Sequence, residues 1–225
     1  MKENIVIVGG GFAGMQACKA MSRSGERVLL IDPNPGPTML PALPDLAGGW
    51  VSEQLVQRPF REILPQNVEH VQAAVATIDL DAGTVLADGQ TFAYEQLLIA
   101  PGSVPNFYDS PFPREKMHAL GSLEDARRIR REFAEYLART DRPQLLVAGT
   151  GYTGLELAMS LFFRARAAGK PCAVAIVDPA PILLPSLPEK QRRYVLDFLV
   201  AQGAEVRLGA AVASFDGHDA VAGRQ

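Results

Sequence analysis

The sequence predicts a three-layer α/β fold in which one structural plan occurs twice. Each half of the chain contains a short, unbroken apolar run that leads into a glycine-rich turn and then into an apolar helix. The first run and turn are residues 5–8 and 9–14, and the second are residues 145–148 and 149–154. Such a run is typical of a parallel strand that is buried on both faces. Two copies predict a pair of Rossmann-like, dinucleotide-binding units with parallel sheets and β-meander insertions.

The first turn has the spacing G-x-G-x-x-G at Gly9, Gly11 and Gly14. Glycines at this spacing make the turn, let the backbone approach a pyrophosphate and let the helix pack closely on the strand. The helix that begins near Ala13 offers unpaired N–H groups and a partial positive charge to that pyrophosphate. A second apolar strand ends at Asp32, where an acidic residue accepts hydrogen bonds from a ribose. A βαβ unit that binds no nucleotide is the less favoured interpretation.

The composition is that of an ordinary globular protein. The 225 residues are 48% apolar and 21% charged, which allows one large or two modest domains. The net charge of −3 argues against a nucleic-acid partner. Residues 145–163 are apolar, but glycines and Glu156 interrupt them, so no transmembrane segment is predicted. No signal peptide is predicted either, because the turn already explains the apolar N-terminal run.

The middle of the first half predicts a proline-rich loop over residues 33–49, and then a short helix from Ser52 to about Gln57. Residues 68–99 predict a β-meander that ends in a buried strand, residues 97–99. Residues 103–117, with Pro105, Pro111 and Pro113, predict a connector between domains. The expected division is therefore 1–110 and 111–225.

A helix is predicted to begin after Ser122, which has the spacing of a capping box with Asp125. Its apolar face is expected to contain Ala126, Ile129, Phe133 and Leu137. Four arginines on this helix are interpreted as a solvated face rather than as an anion site, because acidic residues alternate with them: Arg127, Arg128, Arg130 and Arg131.

The second half repeats the first. Gly149, Gly151 and Gly154 have the same spacing, and the strand over residues 173–177 again ends in an acid, Asp178. Residues 73–79 resemble residues 210–216, which predicts a second meander. Directly before this second meander a helix is expected over residues 189–202, and Gly203 is expected to end it. By analogy with the first copy, a further strand is expected after Gln225.

These motifs resemble those of the pyridine nucleotide–disulfide oxidoreductase superfamily, and within it most closely those of type II NADH dehydrogenases. The resemblance covers essentially the whole chain. It depends on the segments 5–14, 97–105, 149–158 and 182–185. The family's later Gly-Asp motif and its C-terminal region are absent from these 225 residues.

The resemblance implies that the first unit binds FAD. The corresponding positions would contact its pyrophosphate, its adenosine ribose, its adenine and the flavin surroundings: Gly9, Gly11, Phe12, Ala13, Gly14, Asp32, Val75, Ala100 and Gly102. The last two match the family's A-T-G motif, from which Pro101 departs at the middle position.

The resemblance also implies that the second unit binds NADH. The residues that would line the coenzyme's pyrophosphate are Gly149, Gly151, Tyr152, Thr153 and Gly154. Asp178 would bind the ribose 2′-hydroxyl and repel a 2′-phosphate, which favours NADH over NADPH. Glu156 matches an acid that the family places near the nicotinamide and is the one candidate catalytic residue. The alternative for Glu156 is a dipole contact in the first helical turn.

The implied activity is electron transfer from NADH through FAD to a small acceptor, a quinone. Two alternatives stay open: a sulfide:quinone, ferredoxin or rubredoxin reductase on the same scaffold, and a non-catalytic FAD- or NADH-binding fragment. The implied location is the cytoplasm, with peripheral membrane association of the full-length protein and a homodimer as further expectations.

The remaining candidates are interpreted as structural. Cys18 and Cys172 form no local pair and are expected to be small buried groups. Trp50 and Phe60 are expected to pack in a core. No metal site is predicted, because the three histidines lack ligand spacing: His70, His118 and His218.

Overall fold

The computed structural model describes residues 3–107, 112, 114–216 and 220–224. The elements of the first half are β1 Glu3–Val8, α1 Phe12–Met21, β2 Val28–Ile31, α2 Leu43–Gly48, α3 Glu53–Val56, α4 Phe60–Ile63, β3 Val68–Val71, β4 Val75–Asp79, β5 Thr84–Ala87 and β6 Gln90–Ile99. Those of the second half are α5 Leu123–Arg139, β7 Gln144–Ala148, α6 Tyr152–Ala167, β8 Ala173–Asp178, α7 Glu189–Ala201, β9 Glu205–Leu208, β10 Ala210–Phe215 and β11 Ala220–Arg224.

The chain divides into two compact units. Unit 1 contains residues 1–39 and 53–104, and unit 2 contains residues 40–52 and 105–225. The change of unit near residue 105 lies inside the predicted connector, of which Pro111 and Pro113 are outside the described residues. The segment 40–52, which the sequence attaches to the first half, belongs by its contacts to unit 2.

Unit 1 has three layers around a six-stranded sheet of order β3-β2-β1-β6-β5-β4. On one face Ile5 and Ile7 of β1 pack with Met15 and Cys18 of α1. On the other face the alternate β1 residues pack with Val85 and Ala87 of the meander. β1 and β2 are therefore buried on both faces, as their unbroken apolar runs predict.

The predicted meander over residues 68–99 is wrong in its first part. β3 pairs in parallel with β2, so only β4, β5 and β6 form the antiparallel meander. β6 pairs with β5 in its first half and runs parallel to β1 in its second. The expected burial of residues 97–99 is met only in part: Leu97 and Leu98 are partly buried on opposite faces of the sheet. Ile99 is 53% exposed, so its expected burial is wrong.

Unit 2 has a three-stranded parallel sheet, β7-β8-β9, and a β10–β11 hairpin. Leu155 and Phe162 of α6 and Leu199 of α7 pack with the buried residues of β8. β7 is not buried on both faces as predicted, because Leu145 and Val147 face this core whereas Leu146 is 43% exposed.

Most of the predicted helices form with their expected boundaries. The Ser122 hydroxyl accepts a hydrogen bond from the Asp125 amide at 3.1 Å, which confirms the cap of α5, and the predicted apolar face of α5 is buried. The helix expected from Ser52 to Gln57 is one turn, α3. α7 ends before Gly203, whose φ of +88° suits glycine.

The internal repeat is confirmed down to a β-bulge. Val75 pairs with Ala87 across β4 and β5, and the register shifts before Thr77. The equivalent Val212 pairs with Ala222 across β10 and β11, and the register shifts before Ser214. One unpaired residue at the same place in each copy supports the interpretation of 73–79 and 210–216 as copies of one plan.

Candidate functional site

The carboxyl ends of three parallel strands meet at one edge of the sheet in unit 1. Val8 of β1 is paired with Ile31 of β2 on one side and with Ile99 of β6 on the other. The residues that follow these strands, Gly9, Asp32 and Ala100, therefore share that edge. In open α/β sheets, ligands bind beyond the carboxyl ends of the strands, where the strand order changes direction.

Glycine is found at the three motif positions of the first turn for different physical reasons. A Cβ on Gly9 would lie 2.1 Å from the Ala100 carbonyl oxygen, and one on Gly14 would lie 1.9 Å from the Gly9 carbonyl oxygen. These two glycines are required by backbone packing. A Cβ on Gly11 would meet nothing within 4 Å, so the protein itself does not demand glycine there. The open space beside Gly11 leaves room for a ligand.

The N-terminus of α1 is open. Gly11 is its N-cap residue with extended backbone, and within the described part of the chain no side chain caps it. Phe12 and Ala13 begin the helix and are exposed. The first-turn N–H groups therefore point outward with the positive end of the helix dipole, an arrangement that suits a phosphate.

Asp32 is tied to this turn. Its Oδ2 accepts a hydrogen bond from the Gly10 amide at 2.6 Å, and its Oδ1 accepts from the amide and side chain of Asn34 at 2.7 and 2.9 Å. Asp32 as a whole residue is only 9% exposed. Burying a carboxylate is tolerated because three donors compensate for its lost hydration.

Three further predicted residues of unit 1 lie near or beyond the same sheet. Val75 begins β4 and is half-buried, and Ala100 follows β6 with its amide bonded to the Val8 carbonyl oxygen at 2.7 Å. Gly102 is exposed with a φ of +79°, a conformation that favours glycine. Phe60, which the prediction placed in a core, is fully buried, and a Cβ on Gly10 would lie 2.2 Å from its ring.

The second turn repeats this geometry in unit 2. Ala148 of β7 pairs with Val177 of β8, so Gly149 and Asp178 follow the two strands at the same edge. A Cβ on Gly154 would lie 2.8 Å from the Gly149 carbonyl oxygen, whereas one on Gly151 would meet nothing within 4 Å. Gly151 is the N-cap of α6, and among the described residues no side chain caps this helix either.

Asp178 accepts three hydrogen bonds. They come from the Thr150 amide at 2.6 Å, from the Thr150 hydroxyl at 2.7 Å and from the Ala180 amide at 2.7 Å. Partial burial raises the pKa of Asp178, but the bonds from Ala180 and Thr150 together outweigh it and lower the pKa below its usual value. Asp178 is thus held ionised. Tyr152 and Thr153, which lie in the same turn as Thr150, are exposed.

Glu156 is the fifth residue of α6, so the dipole contact considered for the first helical turn does not apply. Burial raises the pKa of its carboxyl group, and the charge of Asp45 raises it further. Asp45 belongs to α2, which packs against α5 and α6. The Trp50 indole donates to the Ser160 carbonyl oxygen at 3.1 Å, yet Trp50 is 47% exposed, so its predicted place in a core is wrong.

The burial expected of the cysteines and the exposure expected of the α5 arginines are mostly confirmed. Cys18 is fully buried and Cys172 partly so, and both are free thiols. Arg128 is half-buried, and the other three arginines of the α5 surface are exposed. Within the described ranges, no group of three or more His, Cys, Asp or Glu residues is arranged to hold a metal ion, and His218 lies outside those ranges. No helix that the structure describes is long and apolar enough to cross a bilayer.

Three site residues carry no strong sequence signal. Gly10 and Thr150 occupy the variable second position of the two turns, and Asn34 lies in the proline-rich loop. Their role as hydrogen-bond donors is recognised only in the folded structure, where these residues lie beside the acid at the end of the neighbouring strand. A signal that was present is the hydroxyl of Thr150, which lies between two glycines at the position where the first turn has Gly10.

The sequence profile described as pyridine nucleotide-disulphide oxidoreductase matches residues 3–224. The chain belongs to this family. Type II NADH:quinone oxidoreductase Ndh of Mycobacterium tuberculosis is 27% identical over 96% of the chain and 52% of the relative. Type II NADH:quinone oxidoreductase of Staphylococcus aureus is 25% identical over 94% of the chain and 58% of the relative. This member of the family spans about half the length of these relatives.

Two solved structures share the fold of this chain. NDH2 from Plasmodium falciparum in complex with NADH superposes with a TM-score of 0.89 at 19% identity, covering 100% of this chain and 51% of that one. Sulfide:quinone oxidoreductase from Aquifex aeolicus superposes with a TM-score of 0.85 at 22% identity, covering 99% and 54%. At these identities the likeness concerns the fold alone.

Proposed function

We propose that unit 1 binds FAD, that unit 2 binds NADH, and that the protein passes electrons from NADH through FAD to a quinone. One observation carries this proposal. Each unit has a helix N-terminus that no side chain of the described residues caps, beside a glycine with open space, Gly11 or Gly151, and an acid at the end of the next strand. This arrangement fits a dinucleotide, because the helix end binds a pyrophosphate and the acid accepts ribose hydroxyl groups.

The residues present define the roles in this proposal. The amides that begin α1 and α6 bind the pyrophosphates, and Asp32 and Asp178 orient the adenosine riboses. Glu156 stands one turn along α6 from this helix end, with a raised pKa that suits a group which holds or releases a proton. A bound flavin would supply the two-electron redox chemistry. The division into an FAD domain over 1–110 and an NADH domain over 111–225 is part of this proposal, with 40–52 added to the second.

Quinone is proposed as the acceptor because the curated relatives named above are NADH:quinone oxidoreductases. The sulfide:quinone alternative would need reactive cysteines. Burial raises the pKa of Cys18 to about 11, and burial also raises the pKa of Cys172, so both thiols are poorly suited to that chemistry. A binding module without turnover is the remaining alternative.

The test is the visible absorption spectrum of the purified chain with added FAD, recorded before and after anaerobic addition of NADH. A flavin spectrum that bleaches with NADH supports both sites and the first electron transfer. A flavin spectrum that NADH leaves unchanged supports the binding module, and the absence of bound flavin contradicts the FAD assignment. Addition of a soluble quinone to the bleached sample then tests the acceptor, since reoxidation without oxygen requires it.

Two variants test whether FAD and NADH bind at the two glycine-rich turns. Gly11→Ala and Gly151→Ala each place a methyl group in open space with an ordinary φ of −71°, so folding is expected to continue. We expect Gly11→Ala to weaken FAD binding and Gly151→Ala to weaken NADH binding, each by about tenfold or more, because the methyl group occupies the space for the pyrophosphate. Each variant is the control for the other coenzyme.

A further inference from the structure

The acid that ends β8 receives a side-chain hydrogen bond from inside the glycine turn. We propose that the Thr150 hydroxyl is a specificity-determining group, which positions the Asp178 carboxylate so that the second unit selects an unphosphorylated adenosine ribose over a 2′-phosphorylated one. This inference rests on the proposed function, because it assumes that a nicotinamide dinucleotide binds to unit 2. Thr150 acts through Asp178 and is therefore a positioning residue.

The contact between Thr150 and Asp178 is made by a buried threonine. Thr150 is only 3% exposed, so its hydroxyl group is not available to water. Both its amide and its hydroxyl donate to the same oxygen, Oδ2 of Asp178, at 2.6 and 2.7 Å. The Ala180 amide donates to Oδ1 at 2.7 Å. A carboxylate has about four acceptor positions, so about one remains for a ribose hydroxyl.

Unit 1 provides an internal comparison. Asp32 receives the same backbone bond from the second position of its turn, the Gly10 amide, at 2.6 Å. Its side-chain donor, however, is Asn34, two residues after the acid and bonded to Oδ1. In unit 2 the equivalent position is Ala180, which has no polar side chain. In unit 1 the side-chain donor to the acid is therefore two residues after it, at Asn34. In unit 2 the donor lies in the glycine-rich turn, at Thr150.

The charge of Asp178 is the physical basis of the selection. An ionised carboxylate accepts the 2′-hydroxyl of NADH and repels the 2′-phosphate of NADPH. Loss of the hydroxyl would leave Oδ2 partly desolvated with one donor fewer, which favours protonation and rotation of the carboxyl group. Both changes would weaken the hydrogen bond to ribose and reduce the repulsion of phosphate.

The experiment measures the dissociation constants of NADH and NADPH by titration calorimetry. Thr150→Val keeps the β-branched shape without the hydroxyl, and Thr150→Gly copies Gly10. Thr150→Ser restores the hydroxyl, and Thr77→Val is the control for an exposed threonine in unit 1. We expect the ratio Kd(NADPH)/Kd(NADH) to fall about fivefold in Thr150→Val and Thr150→Gly and to stay within about twofold in the other two.

A second readout needs no coenzyme. Carbon-13 NMR of the aspartate carboxyl groups follows the titration of Asp178 in the unliganded protein, and its pKa is expected to rise in Thr150→Val and to return in Thr150→Ser. Wild-type protein that binds neither coenzyme overturns the proposed function and this inference with it. Wild-type protein that prefers NADH, combined with an unchanged ratio in folded Thr150→Val and Thr150→Gly, overturns this inference alone.

Discussion

The Ser160 hydroxyl donates a hydrogen bond to the Pro44 carbonyl oxygen over 2.7 Å, although 116 residues separate the two in sequence. This bond is buried, and the Trp50 indole adds a second one to the Ser160 carbonyl oxygen. Together they fasten the segment 40–52 to α6. The segment is therefore part of unit 2 although it follows a strand of unit 1.

Replacing Ser160 by alanine removes the donor and leaves the buried Pro44 carbonyl oxygen without it. We expect the free energy of unfolding of unit 2 to fall by about 1–3 kcal/mol. Urea unfolding followed by Trp50 fluorescence measures this change. Ser186→Ala removes an exposed hydroxyl from the same unit and serves as the control. Equal stability of the two variants would mean that the bond contributes nothing.

The glycines of the second turn should respond to alanine in different ways. In Gly154→Ala the new methyl group lies 2.8 Å from the Gly149 carbonyl oxygen and 3.2 Å from Val147 Cγ1, so we expect a loss of about 1–3 kcal/mol. In Gly151→Ala the methyl group meets no protein atom within 4 Å, and the loss should stay below about 1 kcal/mol. Thermal unfolding compares them. The reverse order would show that the turn is packed differently.

The carboxyl group of Glu156 should make stability depend on pH. Burial and the Asp45 charge both raise the pKa of Glu156 in the folded state, whereas the unfolded value is about 4.3. Ionisation is thus harder in the folded state, and the penalty grows as pH rises above the unfolded value and disappears below it. We expect Glu156→Gln to be more stable than wild type at pH 7 and equally stable at pH 3.

Asp45→Asn tests the second cause of that shift. Removal of the Asp45 charge should lower the pKa of Glu156 towards its usual value, so the advantage of Glu156→Gln at pH 7 should be smaller in the Asp45→Asn background. Denaturant unfolding of the four proteins at both pH values completes this double-mutant cycle. An identical advantage in both backgrounds would leave burial as the sole cause.

Cys18 should be inert in the folded protein. Burial raises its pKa to about 11, against a smaller lowering by a backbone hydrogen bond, so little thiolate exists at pH 8. In a Cys172→Ser background, a disulfide reagent should modify Cys18 roughly 100-fold more slowly in buffer than in guanidinium chloride. If Cys18 in the folded variant is modified completely at the rate of the unfolded variant, Cys18 lies in a reactive environment. That result would again favour the sulfide:quinone alternative.

Local patterns in the sequence were sufficient to predict the two glycine-rich turns. The unbroken apolar runs predict strands buried on two faces, and β1 and β2 are buried in that way. The glycine spacing predicts the turn because part of its packing is local: a Cβ on Gly14 would collide with the Gly9 carbonyl oxygen, five residues earlier in the sequence. The repeat of 73–79 in 210–216 predicts a second meander, and the two copies have a bulge after the equivalent residues Val75 and Val212.

The sequence by itself determined the fold class, the family and the positions of the turns and their acids. These features depend on residues that are close in sequence and on the periodic pattern of apolar residues. Only the tertiary structure decided that β3 joins the parallel sheet, that 40–52 packs in unit 2, and that Thr150 donates to Asp178. Those relations join residues 28 to 116 positions apart, as in the Thr150–Asp178 and Pro44–Ser160 bonds. A hydrogen bond over such a separation depends on where the whole sheet places its strand ends, and no local pattern records it.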